Sequence, residues 1–190
     1  MAHFGPRTGS YLLVAALPLG LAAVLPLDAG EPVSPPPAAA AAPASAAPAL
    51  DRLKALAGEW IDVDGTMGMK GQVAVTYRVT GAGSAVVETD FPGTAHEMVT
   101  VYHRDGGDLV LTHYCSAGNQ PRMRAKRAVG DVLAFDFDGG TNLDPAKDMH
   151  IHAVKIELLG EDEMRETWIG WKGGKPEEPP LVLHLKRKKG

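Results

Sequence analysis

The stretch His96-Glu-Met-Val-Thr-Val-Tyr-His103, Arg104-Asp-Gly-Gly107, Asp108-Leu-Val-Leu-Thr-His-Tyr-Cys115 decides how this chain folds. Two runs with strand-type composition flank a turn of Asp and Gly, which is a strong short-range signature of a β-hairpin. The same stretch gathers His96, His103, His113 and Cys115. It then runs into the polar loop Ser116-Ala-Gly-Asn-Gln-Pro121. A site in this protein is expected to use the hairpin as one wall.

Working outward, the pattern repeats on both sides. Upstream, Ala85 to Phe91 is closed by Pro92-Gly93, and Gly81 to Ser84 turns the chain back into Gln72 to Thr80. In that run Val73, Val75, Tyr77 and Val79 alternate with Gln72, Ala74, Thr76 and Arg78, as a half-buried strand does. Trp60 to Asp64 precedes it. Downstream come Arg122 to Val129, a Gly130-Asp131 turn, Val132 to Asp138, a longer loop over Gly139 to Lys147, and Met149 to Leu159. Gly160 to Glu163 turns into Met164 to Lys172, and the loop Gly173 to Pro180 leads to Leu181 to Arg187. The one helical pattern is Ala49 to Gly58, where Asp51 can cap, Leu50, Leu53 and Leu56 recur every third residue, and Gly58 stops the turn. The fold class is therefore all-β. We expect an up-and-down antiparallel barrel of about ten strands with a short N-terminal helix, because short connections favour a meander that closes on itself and leaves no edge.

Composition frames this domain. The 190 residues carry a net charge of −4 and 22% charged side chains, with 22 Gly and 15 Pro. Nothing there leaves the basic footprint of a nucleic-acid binder, since the one basic cluster, Lys186 to Lys189, reads as a solvated strand end. Residues 1–29 read as an export signal. Arg7 is the only charged side chain before Asp28, Tyr11 to Leu27 is almost wholly apolar, and Ala29 offers a small-residue cleavage point. An uncleaved membrane tether is the alternative, because Thr8 to Leu27 is just long enough to span. A lipoprotein signal would need a Cys at the cleavage point, and the only Cys is Cys115. That lone thiol also forbids an internal disulfide. Residues 30–48 form a Pro/Ala-rich spacer, expected to be disordered and up to ~60 Å long at ~3 Å per residue. The folded domain should occupy 49–190, with the protein exported to the periplasm or the medium.

The segment Leu53-x-x-Leu56-Ala-Gly58-Glu59-Trp60 carries a resemblance. A short helix, a Gly-x-Trp at the first strand and a meander behind it resemble the lipocalin and fatty-acid-binding superfamily, the calycins. The segment Thr112 to Met123 is similar to that of uncharacterised exported bacterial proteins with a lipocalin-like domain. The resemblance implies that an Arg of the last strand, Arg187 here, lies over the Trp60 ring, a contact worth ~1 kcal/mol. It also implies a barrel that takes a small, largely apolar molecule. The paired Arg and Tyr that grip a carboxylate in fatty-acid-binding proteins have no match here. Nitrobindin-like barrels hold haem through a His near the last strand, but His184 shares its face with Val182 and Lys186, which points it outward.

Alternation supplies the candidate site residues. His113 and Cys115 share a face with Leu109 and Leu111, an apolar wall with polar groups at one end. Asn119, Gln120 and Arg122 form a polar cluster in which Arg122 could clamp an anionic group. Glu166 and Trp168 share a strand face and would add an acid and a stacking surface. The expected ligand-binding set is therefore His113, Cys115, Asn119, Gln120, Arg122, Glu166 and Trp168, with no cofactor required. The alternative is a metal-dependent enzyme or metal-binding protein. His150 and His152 stand two apart on a strand with Val154, Ile156 and Leu158, roughly 7 Å from each other. With a third ligand from His113, His96 or Cys115 such a set would suit zinc or iron. Whether any reaction is catalysed stays open: no Gly-x-Ser-x-Gly, His-Glu-x-x-His or phosphate loop occurs.

Overall fold

The structure, a computed structural model, describes residues 46–190. The leader, and the spacer up to residue 45, lie outside the described residues, and so do the expectations placed on them. Helix α1 (Ala46–Ala55) starts three residues before the expected domain boundary at 49. Pro48 falls in its first turn, where a missing N–H removes no intrahelical bond.

The strands are β1 (Gly58–Asp62), β2 (Val73–Thr80), β3 (Ala85–Asp90), β4 (Met98–Asp105), β5 (Asp108–Tyr114), β6 (Gln120–Val129), β7 (Val132–Thr141), β8 (His150–Gly160), β9 (Glu163–Lys172), β10 (Lys175–Pro176) and β11 (Leu181–Arg187). Each of β1 to β9 pairs antiparallel with the next, and β11 joins β9 to β1. The result is a closed barrel of ten strands, with the two-residue β10 pairing with the end of β9. The all-β expectation holds, including the hairpin of β4 and β5, whose register runs from Asp105↔Asp108 to Val99↔Tyr114. Among the described residues no helix is long and apolar enough to cross a membrane.

A meander places alternate connections at opposite ends of its barrel. At one end the links are tight: Gly81–Gly83, the Gly106-Gly107 turn, Gly130-Asp131 and Glu161-Asp162. Helix α1 covers this end. Its Ala49, Leu50 and Leu53, with Leu56 just after it, are buried in the core, and Arg52 donates to the carbonyls of Ala128 and Gly130 at the β6–β7 turn. At the other end the connections are longer, and that end stays open.

The Gly-x-Trp start explains how the helix is held. Trp60 is fully buried and donates its indole N–H to Leu56 O at 2.8 Å. Arg187 stacks its guanidinium 4.4 Å from the Trp60 ring centre and donates to Ala57 O and Ala55 O, each at 2.9 Å. Three carbonyls near the helix C-terminus are thus satisfied by two side chains, where a helix end would otherwise leave them orphaned. Gly58 has φ +134, and a Cβ there would stand 3.2 Å from Arg187 Nη1. Only glycine accepts both the backbone and the approach.

Candidate functional site

The barrel interior carries a connected layer of polar groups. Tyr77, Glu88, Thr100 and His113 are successive cross-strand partners on β2, β3, β4 and β5, so they form one row across the inner wall. All four are buried. From the opposite wall, β9 adds Glu166 and Trp168. Tyr77 donates its hydroxyl to Glu166 Oε1 at 2.7 Å, and Trp168 donates its indole N–H to Glu166 Oε2 at 3.1 Å. Tyr102 donates to Glu88 Oε2. Asp90, two residues along β3, lies between Val75 and Met98 and is 2% exposed. Ligand atoms of Glu88, Asp90 and Glu166 lie within 4.8 Å of one another.

Three carboxyls so close and so deep cannot all be charged. Burial pushes Glu88 and Asp90 well above the carboxylate range, and the charge of Glu166 pushes both further. Glu166 is raised by burial but is opposed by the hydrogen bonds from Tyr77 and Trp168. The indole can only donate, so Glu166 is the carboxyl best held as an anion. Burial also raises the Tyr77 and Tyr102 hydroxyls. His113 is brought down to about 4 by burial and is neutral at pH 7. Its Nδ1 is 2.8 Å from Thr100 Oγ1 and its Nε2 has no hydrogen-bond partner, while Glu88 Oε1 and both Asp90 oxygens have none outside the acid cluster.

The space above this layer is a cavity in two parts. An inner chamber of about 240 Å³ measured to its open side, with room for little more than one water-sized group, is lined by Asp90 and His113 and by apolar side chains that include Met98, Ile151, Trp168 and Leu183. It shares Phe91, Met98, Ile151, Trp168 and Leu181 with an outer bowl of about 780 Å³, measured to its open mouth. Every long connection reaches the bowl: Met67 after β1, His96 after β3, Cys115 and Ser116 after β5, Met149 before β8, and Pro179 and Pro180 before β11. Phe91, at the junction of the two spaces, has φ 51, a strained backbone of the kind that collects at binding sites.

The expected ligand-binding residues divide. His113 and Trp168 line the inner chamber, Cys115 lines the bowl, and Glu166 is buried behind Trp168. The other three do not line either space. Asn119 is buried and donates to Met149 O at 2.7 Å, holding the β5–β6 loop against the start of β8. Gln120 accepts from Thr141 and Asn142, and Arg122 pairs with Asp105 at 2.7 Å on the outer surface, beside Arg124. They end their own strands and loops and do not face the cavity.

The histidines follow a different geometry from the one their spacing predicts. A register shift between Ile151 and Ala153 flips the alternation of β8. Ile151 therefore turns into the cavity, and His150 and His152 leave the face of Val154 and Ile156. Their rings approach to 3.1 Å, Nε2 of His150 to Nδ1 of His152, and His150 Nδ1 contacts Asp148 O at 2.9 Å. His152 stacks on Trp171 at 3.8 Å and on Phe137 at 4.9 Å. His113 stands apart, against Trp168. Among the described residues, the group of three ligand atoms close enough for one metal ion is Glu88, Asp90 and Glu166. His184 Nε2 is hydrogen-bonded to Glu163 Oε1 at 2.6 Å, outside the apolar face of Leu183 and Leu185.

Glu88 and Asp90 are the residues that sequence reasoning missed. In Ala85-Val-Val-Glu-Thr-Asp90 the buried face is Val86, Glu88 and Asp90, a face that mixes one apolar side chain with two acids. The usable signal was loop length, since the long connections all fall at one end and mark where the barrel opens. No family model matches the chain, and no curated protein matches it.

Proposed function

We propose that this domain binds a small, largely apolar molecule, which enters between the long loops and rests against Phe91, Met98, Ile151, Trp168 and Leu181. The observation that carries this is the continuous cavity at the uncovered end, with apolar walls and a few polar groups at its base. Burial of apolar ligand surface supplies the affinity, and His113 and Asp90 set orientation. The resemblance to lipocalin-like barrels agrees with this use of the lumen.

A neutral naphthalene fluorophore tests it. We expect saturable one-to-one binding with Kd of about 10 μM or tighter and quenching of Trp168 emission. Ile151→Trp, which fills the chamber, should weaken binding about tenfold without loss of fold. Binding that never saturates, or that ignores the filled chamber, refutes the proposal.

We further propose that the chain works outside the cytoplasm. The apolar leader over 1–29 and the spacer over 30–48 support export, with the barrel held away from any membrane. N-terminal sequencing of protein made with its leader should begin at Gly30 or later, and a chain that still begins at Met1 would contradict cleavage.

A further inference from the structure

The cavity at the open end has a charge character that narrows its ligand, and the inference rests on the binding role proposed for that same site. We propose that it takes a primary amine, with an apolar body in the outer bowl and the ammonium group on Asp90 at the inner end. Three separate observations lead there.

The first is a buried acidic centre with no cation beside it. None of the ion pairs among the described residues involves Glu88, Asp90 or Glu166. The donors that reach the cluster are Tyr77, Tyr102 and Trp168, which are neutral and which engage Glu88 and Glu166. Asp90 receives none of these, although it is 2% exposed; the polar side chain within its reach is the Glu88 carboxyl. A buried carboxyl whose one partner is another carboxyl is costly as an anion, and a ligand that brings both charge and donors removes that cost.

The second is His113. It is 1% exposed, lines the chamber with Asp90, and has no partner on Nε2. The Thr100 contact leaves Nε2 free in either tautomer, and in the one whose Nδ1–H donates to Thr100 Oγ1 it presents a lone pair. An ammonium carries three donors and no acceptor, so it fits a site composed of acceptors. A hydroxyl satisfies one acceptor at most, and a carboxylate ligand would meet like charge at close range.

The third is access. Of the three acids, Asp90 alone lines the chamber, and the path to it runs past Trp168, Met98 and Ile151. A metal ion would need the whole cluster to turn upon it, whereas both Glu166 oxygens already accept from Tyr77 and Trp168. An amine needs only Asp90 and His113. Its apolar body lies where the walls are apolar, with the Trp168 ring beside the charged end.

Calorimetric titration of the full chain with three matched probes, octylammonium, octan-1-ol and octanoate, decides the matter. We expect octylammonium to bind about tenfold or more tighter than the alcohol, with octanoate weakest. Asp90→Asn should bring octylammonium to within about threefold of the alcohol. If the alcohol binds as tightly as the ammonium, the pocket stands and the amine assignment falls. If none of the three binds, the pocket itself falls, and the assignment with it. If calcium or manganese binds one-to-one, displaces octylammonium and is lost in Asp90→Asn, the acids are a metal site and the assignment is overturned. The ranking on the unmutated protein decides even if the variant does not fold.

Discussion

Replacing Trp60 with alanine is expected to destabilise the domain by about 3 to 5 kcal/mol, the largest effect expected of any single change in this protein. Trp60 is among the largest fully buried side chains, and it sits where β1, β2 and β11 meet beneath α1. Its removal opens a cavity in a closed barrel that can collapse only by moving strands. It also leaves Leu56 O without its donor and takes away the face on which Arg187 lies. Arg187→Lys is the graded companion. It keeps the charge but loses the planar fork that reaches Ala55 O and Ala57 O together, and should cost about 1 kcal/mol. Urea unfolding at pH 7 measures both. A Trp60→Ala loss below about 1 kcal/mol would show that the helix and the barrel end do not depend on this residue.

The second large effect is a gain. Glu88→Gln should stabilise the domain by roughly 1 to 3 kcal/mol at pH 8, with little change at pH 4. Glutamine keeps the shape and still accepts from Tyr102, yet brings no charge beside Asp90 and Glu166. The sign comes from linkage. The folded protein raises Glu88 above its unfolded value near 4.3. It therefore binds more protons than the unfolded chain above that value, and stability falls as pH rises toward the folded pKa. The contribution is complete below the unfolded value. His113 works in the opposite direction. Lowered to about 4, it removes stability as pH falls from near 6.5 through that value. The difference between variant and wild type isolates the carboxyl. Unfolding curves at several pH values should diverge steadily above about pH 4. Parallel curves would mean that Glu88 is charged throughout, stabilised by a cation in the cluster.

The two results bear on function together. A cluster that weakens the fold at neutral pH is better explained by a ligand than by packing, because apolar side chains of similar volume would fill the same space at no electrostatic cost. Stabilities measured with and without octylammonium connect the two, since a ligand that binds only the folded state raises the midpoint in proportion to its affinity.

Much of the architecture was legible in the residues alone. Alternation in Gln72 to Thr80, the Asp-Gly turn between His103 and Asp108, and the Leu spacing before Gly58 specify strands, hairpin and helix through local sterics and burial. These operate over a few neighbours at a time. The position of Arg187 over Trp60 was legible too, through resemblance. Part of the pocket was legible as well, because His113 and Trp168 share faces with apolar neighbours. Arg122 and Gln120 were not, since their strand ends outside the lumen and their charges and amides are satisfied on the surface by Asp105, Thr141 and Asn142.

What the chain determined by itself, then, was a ten-stranded all-β meander with one helix, because strand period, turn chemistry and helix spacing are written in consecutive residues. Two things were decided only by the closed barrel. One was the inward turn of Glu88 and Asp90, which hydrophobicity alone assigns to solvent and which needs Tyr77, Tyr102, Thr100 and Glu166 from other strands to be tolerable. The other was the shift at Ile151, a single residue of register that moved two histidines off the lumen face and placed an isoleucine in the cavity. Both depend on partners far apart in sequence, and the closure of β11 onto β1 and β9 is what brings the two walls within reach.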